Sequence, residues 1–470
     1  MGHLVINGVI GWPQLQKKMF DFFRHVWREG SLLEKGVPVK GIKKWGKTAA
    51  ALASLSLVAA ACGSGAAASS SSGSSSGSAT TAQSSGPLTV GELLPMSGAE
   101  AFVGQWFDHG VKAGVYEINH HGGVLGHQLT TSLQDTAGDP VDAVTAWKSL
   151  QLQNPNFVTG PSSLEIMGVI NMLQQQKVVD LMEGGTTQLD HMTQSYIFRT
   201  FPSDSVLLAG EAYYALKGLN CTKASLIYTS DANAQAEVPP LTTAFTGNGG
   251  TILDNEQIQA GQSSYLSEVS RAFANNPQCV FFHADPQTAA TLFANVKQLG
   301  HLNVHFITGD TGTSIQLAQA IGLADASKWM TGMAAPAAYA PAYNEFLAAY
   351  KGQWNTSKPL PASPAMYDAV VIAALAMTAA NSTNPHVWVN DITKVTNPPG
   401  TPVYTYAQGV ALLKQGKKIN YQGASGPLDF NQYHNVFSGF DVQQFDASGN
   451  LHTVLSISSS QVAAMYNSKG

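Results

Sequence analysis

The chain predicts an α/β protein built from two successive doubly wound parallel sheets, and three observations lead there. From Leu88 onward, short apolar runs alternate with segments of helical period. The runs fall into two series of five. Several end in Gly- and Ser-rich turns at which a helix begins. Strand, helix, parallel strand is the right-handed crossover unit, and two series of it make two similar lobes. Ligands of such sheets lie beyond the carboxyl ends of the strands, so facing lobes place a cleft between those ends.

The first series comprises Leu88–Leu94, Gln128–Asp135, Asn156–Thr159, Val178–Met182 and Tyr196–Thr200. Helical periods cover Trp106–His120, Pro140–Gln153 and Ser163–Gln176. The second series is Ala224–Thr229, Thr251–Ile258, Cys279–His283, His305–Thr308 and Trp329–Ala334, with a helix over Pro286–Leu299. In the tail, Tyr343–Gly352 and Pro364–Ala380 read as helices, the latter almost wholly apolar and so packed against a sheet. Gly426–Asn431 and Phe437–Phe445 read as strands, with a turn at Asp446–Asn450. The tail has room to re-cross between lobes.

Of 470 residues, 44% are hydrophobic and 12% charged, about half the usual charged share. The net charge of −5 is split. Residues 1–47 carry nine Lys/Arg against three Asp/Glu, a net of +6, which leaves −11 for the rest. Past that leader only Arg199 and Arg271 remain as arginines, which excludes a nucleic-acid partner. Lys40, Lys43, Lys44 and Lys47 precede an uncharged run from Thr48 to Ala61, too short to span a bilayer as a mature anchor. A basic region, a short apolar region and small residues describe an export signal over 40–61. Val58-Ala59-Ala60-Ala61-Cys62 resembles a bacterial lipoprotein signal, which implies lipidation at Cys62 and a membrane contact through that anchor alone. Residues 63–86 are Gly, Ser, Ala, Thr and one Gln, uncharged, and read as a flexible tether within 62–86. Residues 1–39 overextend this scheme and are expected to be either a start placed too far upstream, with initiation near Val37 or Val39, or an extra segment.

Gly73-Ser74-Ser75-Ser76-Gly77 matches a hydrolase pattern but lies in the tether, where no nucleophile elbow can form. No phosphate-binding glycine loop follows a strand, so neither nucleotide chemistry nor a cofactor is expected. His109, His120, His121 and His127 lack a Cys or carboxylate at a standard metal spacing and read as surface histidines, with no metal site. No nucleophile–base–orienter set falls on strand ends, so the chain does not read as an enzyme.

The turn Gly160-Pro161-Ser162-Ser163-Leu164-Glu165 closes one strand and opens a helix, with Ser162 and Glu165 spaced as a capping box. Beside simple capping stands a functional reading: free N–H groups and a Ser hydroxyl that bind a carboxylate. Glu183-Gly184-Gly185-Thr186-Thr187 ends the next strand, its glycines permitting close backbone approach and its threonines supplying hydroxyls. Cys221 and Cys279 precede the first and third strands of the second series, neighbours in a 2-1-3-4-5 sheet. Outside the cytoplasm they form either a disulfide or two buried thiols.

Taken together, Leu94–Gly98, Glu117–Asn119 before Gly122–Gly126, Gln134-Asp135-Thr136 with Asp139-Pro140, Gly160–Ser163, Arg199-Thr200 and Tyr367-Asp368-Ala369 resemble a family. It is the solute-binding lipoproteins of branched-chain amino-acid ABC transporters, with the type I periplasmic-binding-protein fold. The resemblance runs from about Leu88 to Thr453. It implies two lobes joined by a multi-strand hinge, 87–203 with 337–435 and 204–336 with 436–470. It implies an extracytoplasmic receptor, a small amino-acid ligand and an ABC permease partner. Carried over residue by residue, it assigns Ser163 to the ligand carboxylate and the Gly184 carbonyl to the ammonium. Thr186 is assigned to both groups and Asp310 to charge neutralisation, with Ser162 beside them. Phe102, Val103, Asn233 and Asp285 fall at the side-chain pocket, the last three replacing or flanking aromatics there, so a leucine-like pocket is altered. An amide, a urea-like compound or an organic acid is the alternative ligand, and a sensor uncoupled from transport the alternative role.

Overall fold

The computed structural model describes residues 86–467 apart from 194–195, 335 and 337–339. Segment 1–39, the signal at 40–61, Cys62 and the tether up to residue 85 lie outside the described residues. Five parallel strands, β1 (Leu88–Leu94), β2 (Leu129–Asp135), β3 (Phe157–Thr159), β4 (Asp180–Met182) and β5 (Ile197–Arg199), form the first sheet in the order β2-β1-β3-β4-β5. The second sheet repeats that order as β7-β6-β8-β9-β10. Its strands are β6 (Lys223–Thr229), β7 (Thr251–Ile258), β8 (Cys279–His283), β9 (His305–Ile307) and β10 (Met330–Ala334). The chain is thus two parallel-sheet α/β lobes of one topology.

The inner strands form where they were expected because parallel strands covered by helices on both faces need continuous apolar runs. β1 and β8 are buried along nearly their whole length. The exception in kind is Glu92, in the middle of β1 and 0% exposed.

The tail departs from expectation in detail. Strand β14 (Phe440–Phe445) adds antiparallel to β10, and β15 (Leu451–Ile457), not anticipated, adds to β14 as a mostly exposed edge. β11 (Thr401–Val403), β12 (Ile419–Gly423) and β13 (Gly426–Pro427) make a small third sheet. The strand expected over Gly426–Asn431 ends at Pro427, which has no N–H to continue a ladder.

Helix Ser363–Ala380 has the length and apolarity of a membrane span, yet it is a core helix, 78% of it buried. It lies on helix Ala101–His120 so closely that a Cβ on Gly110 would fall 2.3 Å from the Ser363 carbonyl oxygen. Asp368 ties this helix to the β12–β13 turn, accepting from Tyr421 Oη (2.7 Å), Ala424 N (2.9 Å), Ser425 N (2.8 Å) and Ser425 Oγ (2.6 Å). Four donors around a wholly buried carboxyl satisfy it in place of water.

Between sheets the chain passes after β5, after β10 and before β14. The first and third passages meet at an Arg199–Asn435 bridge. Cys221 and Cys279 are joined, with Cα atoms 6.1 Å apart at the start of neighbouring strands β6 and β8.

Candidate functional site

The carboxyl ends of both sheets face one another, and loops from each supply the groups between. After β3, Ser162 does not cap a helix. The helix begins only at Ile166, and Ser162 Oγ instead donates to the Glu165 carboxylate, which also accepts from Thr136 Oγ1 at 2.6 Å. The expected capping box is therefore an internal carboxyl–hydroxyl network. Its Glu165 is raised above its usual range by burial, which outweighs those hydrogen bonds.

Ser163, half-buried, is freed by that arrangement to face the next loop. Its Oγ accepts from Thr186 N at 3.0 Å. Thr186 is 0% exposed, and its own Oγ1 has no partner among the described residues. Gly184 keeps its backbone close to Ser163, since a Cβ would lie 3.1 Å from Ser163 N and would also displace the Met182 methyl, 2.4 Å away. At Gly185 a Cβ would lie 1.9 Å from Asp204 Oδ1, and Asp204 N donates to the Gly185 carbonyl at 2.7 Å. This glycine is where the first lobe's loop meets the helix Asp204–Tyr213.

Arg199, 1% exposed, fixes that loop from behind. Its guanidinium donates to the Gly185 and Thr186 carbonyls (3.0 and 2.9 Å), to Asn435 Oδ1 (2.7 Å) and to Asp190 Oδ1 (2.7 Å). The planar fork of arginine suits four simultaneous acceptors. Loop, hinge passage and buried acid are thus held by one side chain.

From the second lobe come Asp310 after β9, Glu237 on the helix Ala232–Thr246, His283 at the end of β8, and Asp204 with Glu211. Asp310 is half-buried, accepts from Thr311 N at 2.8 Å, and is raised by burial with Glu237 adding to the effect. His283 Nδ1 sits 3.0 Å from Glu237 Oε2. Burial works against its charge, but Glu237 overrides it and holds the imidazole at about 10, hence protonated. Glu183 and Glu211 are pushed well above the ordinary carboxyl range, first by burial and then by neighbouring acids, Asp310 acting on both. Glu100 rises to about 7 for the same leading reason, with His283 opposing. Charges from the two lobes thus act on each other directly, and Thr187 Oγ1 donates across to the Ala236 carbonyl at 3.3 Å.

Of the residues expected at the site, the structure brings Ser163, Gly184 and Thr186 together and places Asp310 within electrostatic reach of Glu183 beside them. Phe102 packs edge-on against Trp106, with centroids 5.2 Å apart. Asn233 lies in the first turn of its helix, its buried Oδ1 without a partner among the described residues. Val103, by contrast, belongs to the first lobe's hydrophobic core, and Asp285 caps the helix Pro286–Gln298 by accepting from Gln287 N and Thr288 N. One of the four histidines is not at the surface, His127, 9% exposed in a turn; His109 is half-buried and stacks on Trp354 at 3.7 Å. His121 instead joins Glu117 and Glu345 in a group whose ligand atoms lie within 4.8 Å of one another.

Sequence reasoning missed Glu100, Asp204, Glu211, Glu237 and His283. One signal was present: Asp204 and Glu211 stand seven apart, two turns, on the otherwise apolar helix DSVLLAGEAY, which puts both on one face. Adjoining the cluster at Asp310 is a cavity of ≈ 610 Å³ between the lobes, lined among others by Trp106, Phe201, Met333, Tyr343 and Leu360.

Residues 87–450 match the family model described as periplasmic binding protein. The chain is similar to a chemotactic signal transduction system substrate-binding protein, BasB, of Halobacterium salinarum, at 24% identity over 77% of this chain and 88% of that protein. Among solved structures it resembles the leucine binding protein LivK of Thermotoga maritima, with a TM-score of 0.67 and 18% identity, covering 79% of this chain and 99% of that one. It also resembles a solute binding protein of an ABC transporter from Rhodopseudomonas palustris, in complex with 3,4-dihydroxy benzoic acid. There the TM-score is 0.60 and the identity 16%, over 80% and 97% of the two chains.

Proposed function

The chain belongs to the periplasmic binding protein family, and from that premise we propose that it is a lipid-anchored receptor that captures a small amino-acid-like solute for an ABC importer. Cys62 would carry the anchor, and the segment up to Gly86 would let the lobes sample space beside the membrane. The observation that carries the reading is the pairing, at facing strand ends, of hydroxyl and main-chain groups at Ser163, Gly184 and Thr186 with the carboxyl of Asp310.

An amino group entering there finds acids in place, which offsets part of its dehydration. The same acids disfavour an organic anion. A ligand bridging both lobes favours their closed arrangement only by its differential affinity for it. Binding is tested by thermal shift and calorimetry with amino acids and small amides. Asp310→Ala should abolish the response to an amine-bearing ligand, and unchanged affinity in that variant would reject the role of Asp310.

The likeness to BasB over most of its length favours a second reading, a sensor reporting ligand to a signalling partner. Uptake of the bound solute in cells, lost when the receptor gene is deleted, separates transport from sensing.

A further inference from the structure

The number of carboxyl groups facing the cleft exceeds what one ammonium requires. Beside the His283–Glu237 pair, five carboxyl groups act on one another across it: Glu100 and Glu183 from the first lobe, Asp204, Glu211 and Asp310 from the second. The cations they feel are already engaged. His283 is held by Glu237 at 3.0 Å, and Arg199 by Asp190 at 2.7 Å.

Glu211 makes the point independently of the count. It is 1% exposed, and its Oε2 has no partner among the described residues. Its Oε1 lies 3.5 Å from where a Cβ on Gly309 would be, so the side chain is aimed at the Asp310 turn. From the first lobe, Thr186 Oγ1 is likewise buried and has no partner among the described residues. Leaving such groups buried without a partner costs free energy, so a complementary occupant is strongly favoured.

A neutral zwitterion supplies one positive charge but also brings a carboxylate, which opposes ionisation of the buried acids around it. A solute of net positive charge supplies the missing partner without that opposition. The adjoining cavity meets the cluster at Asp310 and is walled by Trp106, Phe201, Met333 and Tyr343, which suits an apolar body and not a bare metal ion.

We propose that the cleft selects an organic cation with net positive charge and an apolar portion, in the class of diamines, guanidines and basic amino acids. Its charged end lies among Glu183, Glu211 and Asp310, and its body extends past Trp106 and Phe201. This rests on the reading of the chain as a solute receptor.

The test is calorimetry and thermal shift on the full chain with arginine, 1,4-diaminobutane, leucine, acetamide and calcium chloride. Arginine or the diamine should bind at least about tenfold tighter than leucine. Glu211→Gln and Asp310→Asn should each weaken the cation by roughly tenfold or more. Neither variant should melt lower without ligand, because each keeps the shape of a carboxyl whose charged form burial already disfavours, so loss of binding is not loss of fold. Tightest binding of leucine or acetamide overturns the inference and leaves the receptor reading intact. Tightest binding of calcium also overturns it. No response to any probe overturns both.

Discussion

Replacing Glu92 with Gln should make the protein markedly less sensitive to alkaline pH. Glu92 lies in the centre of β1, 0% exposed, and its carboxyl oxygens lack a well-formed hydrogen bond among the described residues, Thr131 on β2 lying nearest as a donor. Burial lifts it from 4.5 to about 8, with the nearby Asp108 adding to the rise and Lys112 opposing it. A carboxyl raised in the folded state contributes stability that is present in full below its unfolded value near 4.5. That contribution is lost as pH climbs toward 8. At about 1.4 kcal/mol per unit, the loss across this window is roughly 4 kcal/mol from Glu92 alone. For a fold of roughly 380 residues, with an unfolding entropy near 2 cal/mol/K per residue, that is a fall in Tm of roughly 5 °C. Scanning calorimetry of parent and Glu92→Gln at pH 5 and pH 8 measures it directly. The parent should melt lower at pH 8, and the variant should recover roughly 5 °C of the difference while matching the parent at pH 5. Equal pH slopes in the two proteins, or a parent that melts higher at pH 8, would refute the reasoning.

Two further expectations concern the hinge and the second lobe. Arg199→Met removes four hydrogen bonds and leaves Asp190 buried without its cation, which should cost about 3–5 kcal/mol in urea unfolding. Arg199→Lys should recover less than half, having no fork to reach the Gly185 and Thr186 carbonyls together with Asn435, and a loss under about 1 kcal/mol in the Met variant would dismiss the clamp. Cleaving the Cys221–Cys279 bridge, which spans 58 residues, should destabilise by about 4 kcal/mol in the chain-entropy model, so reductant should lower Tm in the parent and not in a Cys221→Ser/Cys279→Ser double variant.

The parallel strands were legible because burial on two faces writes an unbroken apolar run, as in Cys279–His283 and Ala224–Thr229. Turn chemistry was legible for a similar reason: Asp139 before Pro140 caps its helix from Val141 N and Asp142 N, as that dipeptide invites. The small third sheet was not, since two- and three-residue strands carry no period. Strand β15 was hidden by its exposure, which leaves no buried face to pattern. Ser162 misled because the spacing of a capping box is also the spacing at which a serine hydroxyl reaches a buried glutamate. The loop at Ser163 and Thr186 could be found locally, whereas the acids around it could not. Glu100, Glu183, Glu211 and Asp310 belong to four chain segments that only the fold of two sheets brings to one cleft. A carboxyl on an otherwise apolar helix reads as solvent-facing until the surface it faces is known.

The buried acids sort into two kinds, and the difference bears on what the cleft does. Asp368 is as enclosed as Glu211, yet four donors surround it and its rise stops at about 6. Among the described residues Glu211, Glu183 and Asp310 have no comparable set of donors around their carboxyl groups, and burial drives Glu211 and Glu183 well above the range of exposed carboxyls. Structure alone would gain by replacing such groups with apolar ones of similar size. Their arrangement makes sense if closure of the lobes is meant to be unfavourable until something positive arrives, because a ligand can shift the lobes only by the free energy by which it prefers the closed form. Arg199 sharpens that dependence. By fixing the Gly185–Thr186 loop to the hinge, it denies the first lobe an easy local retreat from the acids of the second.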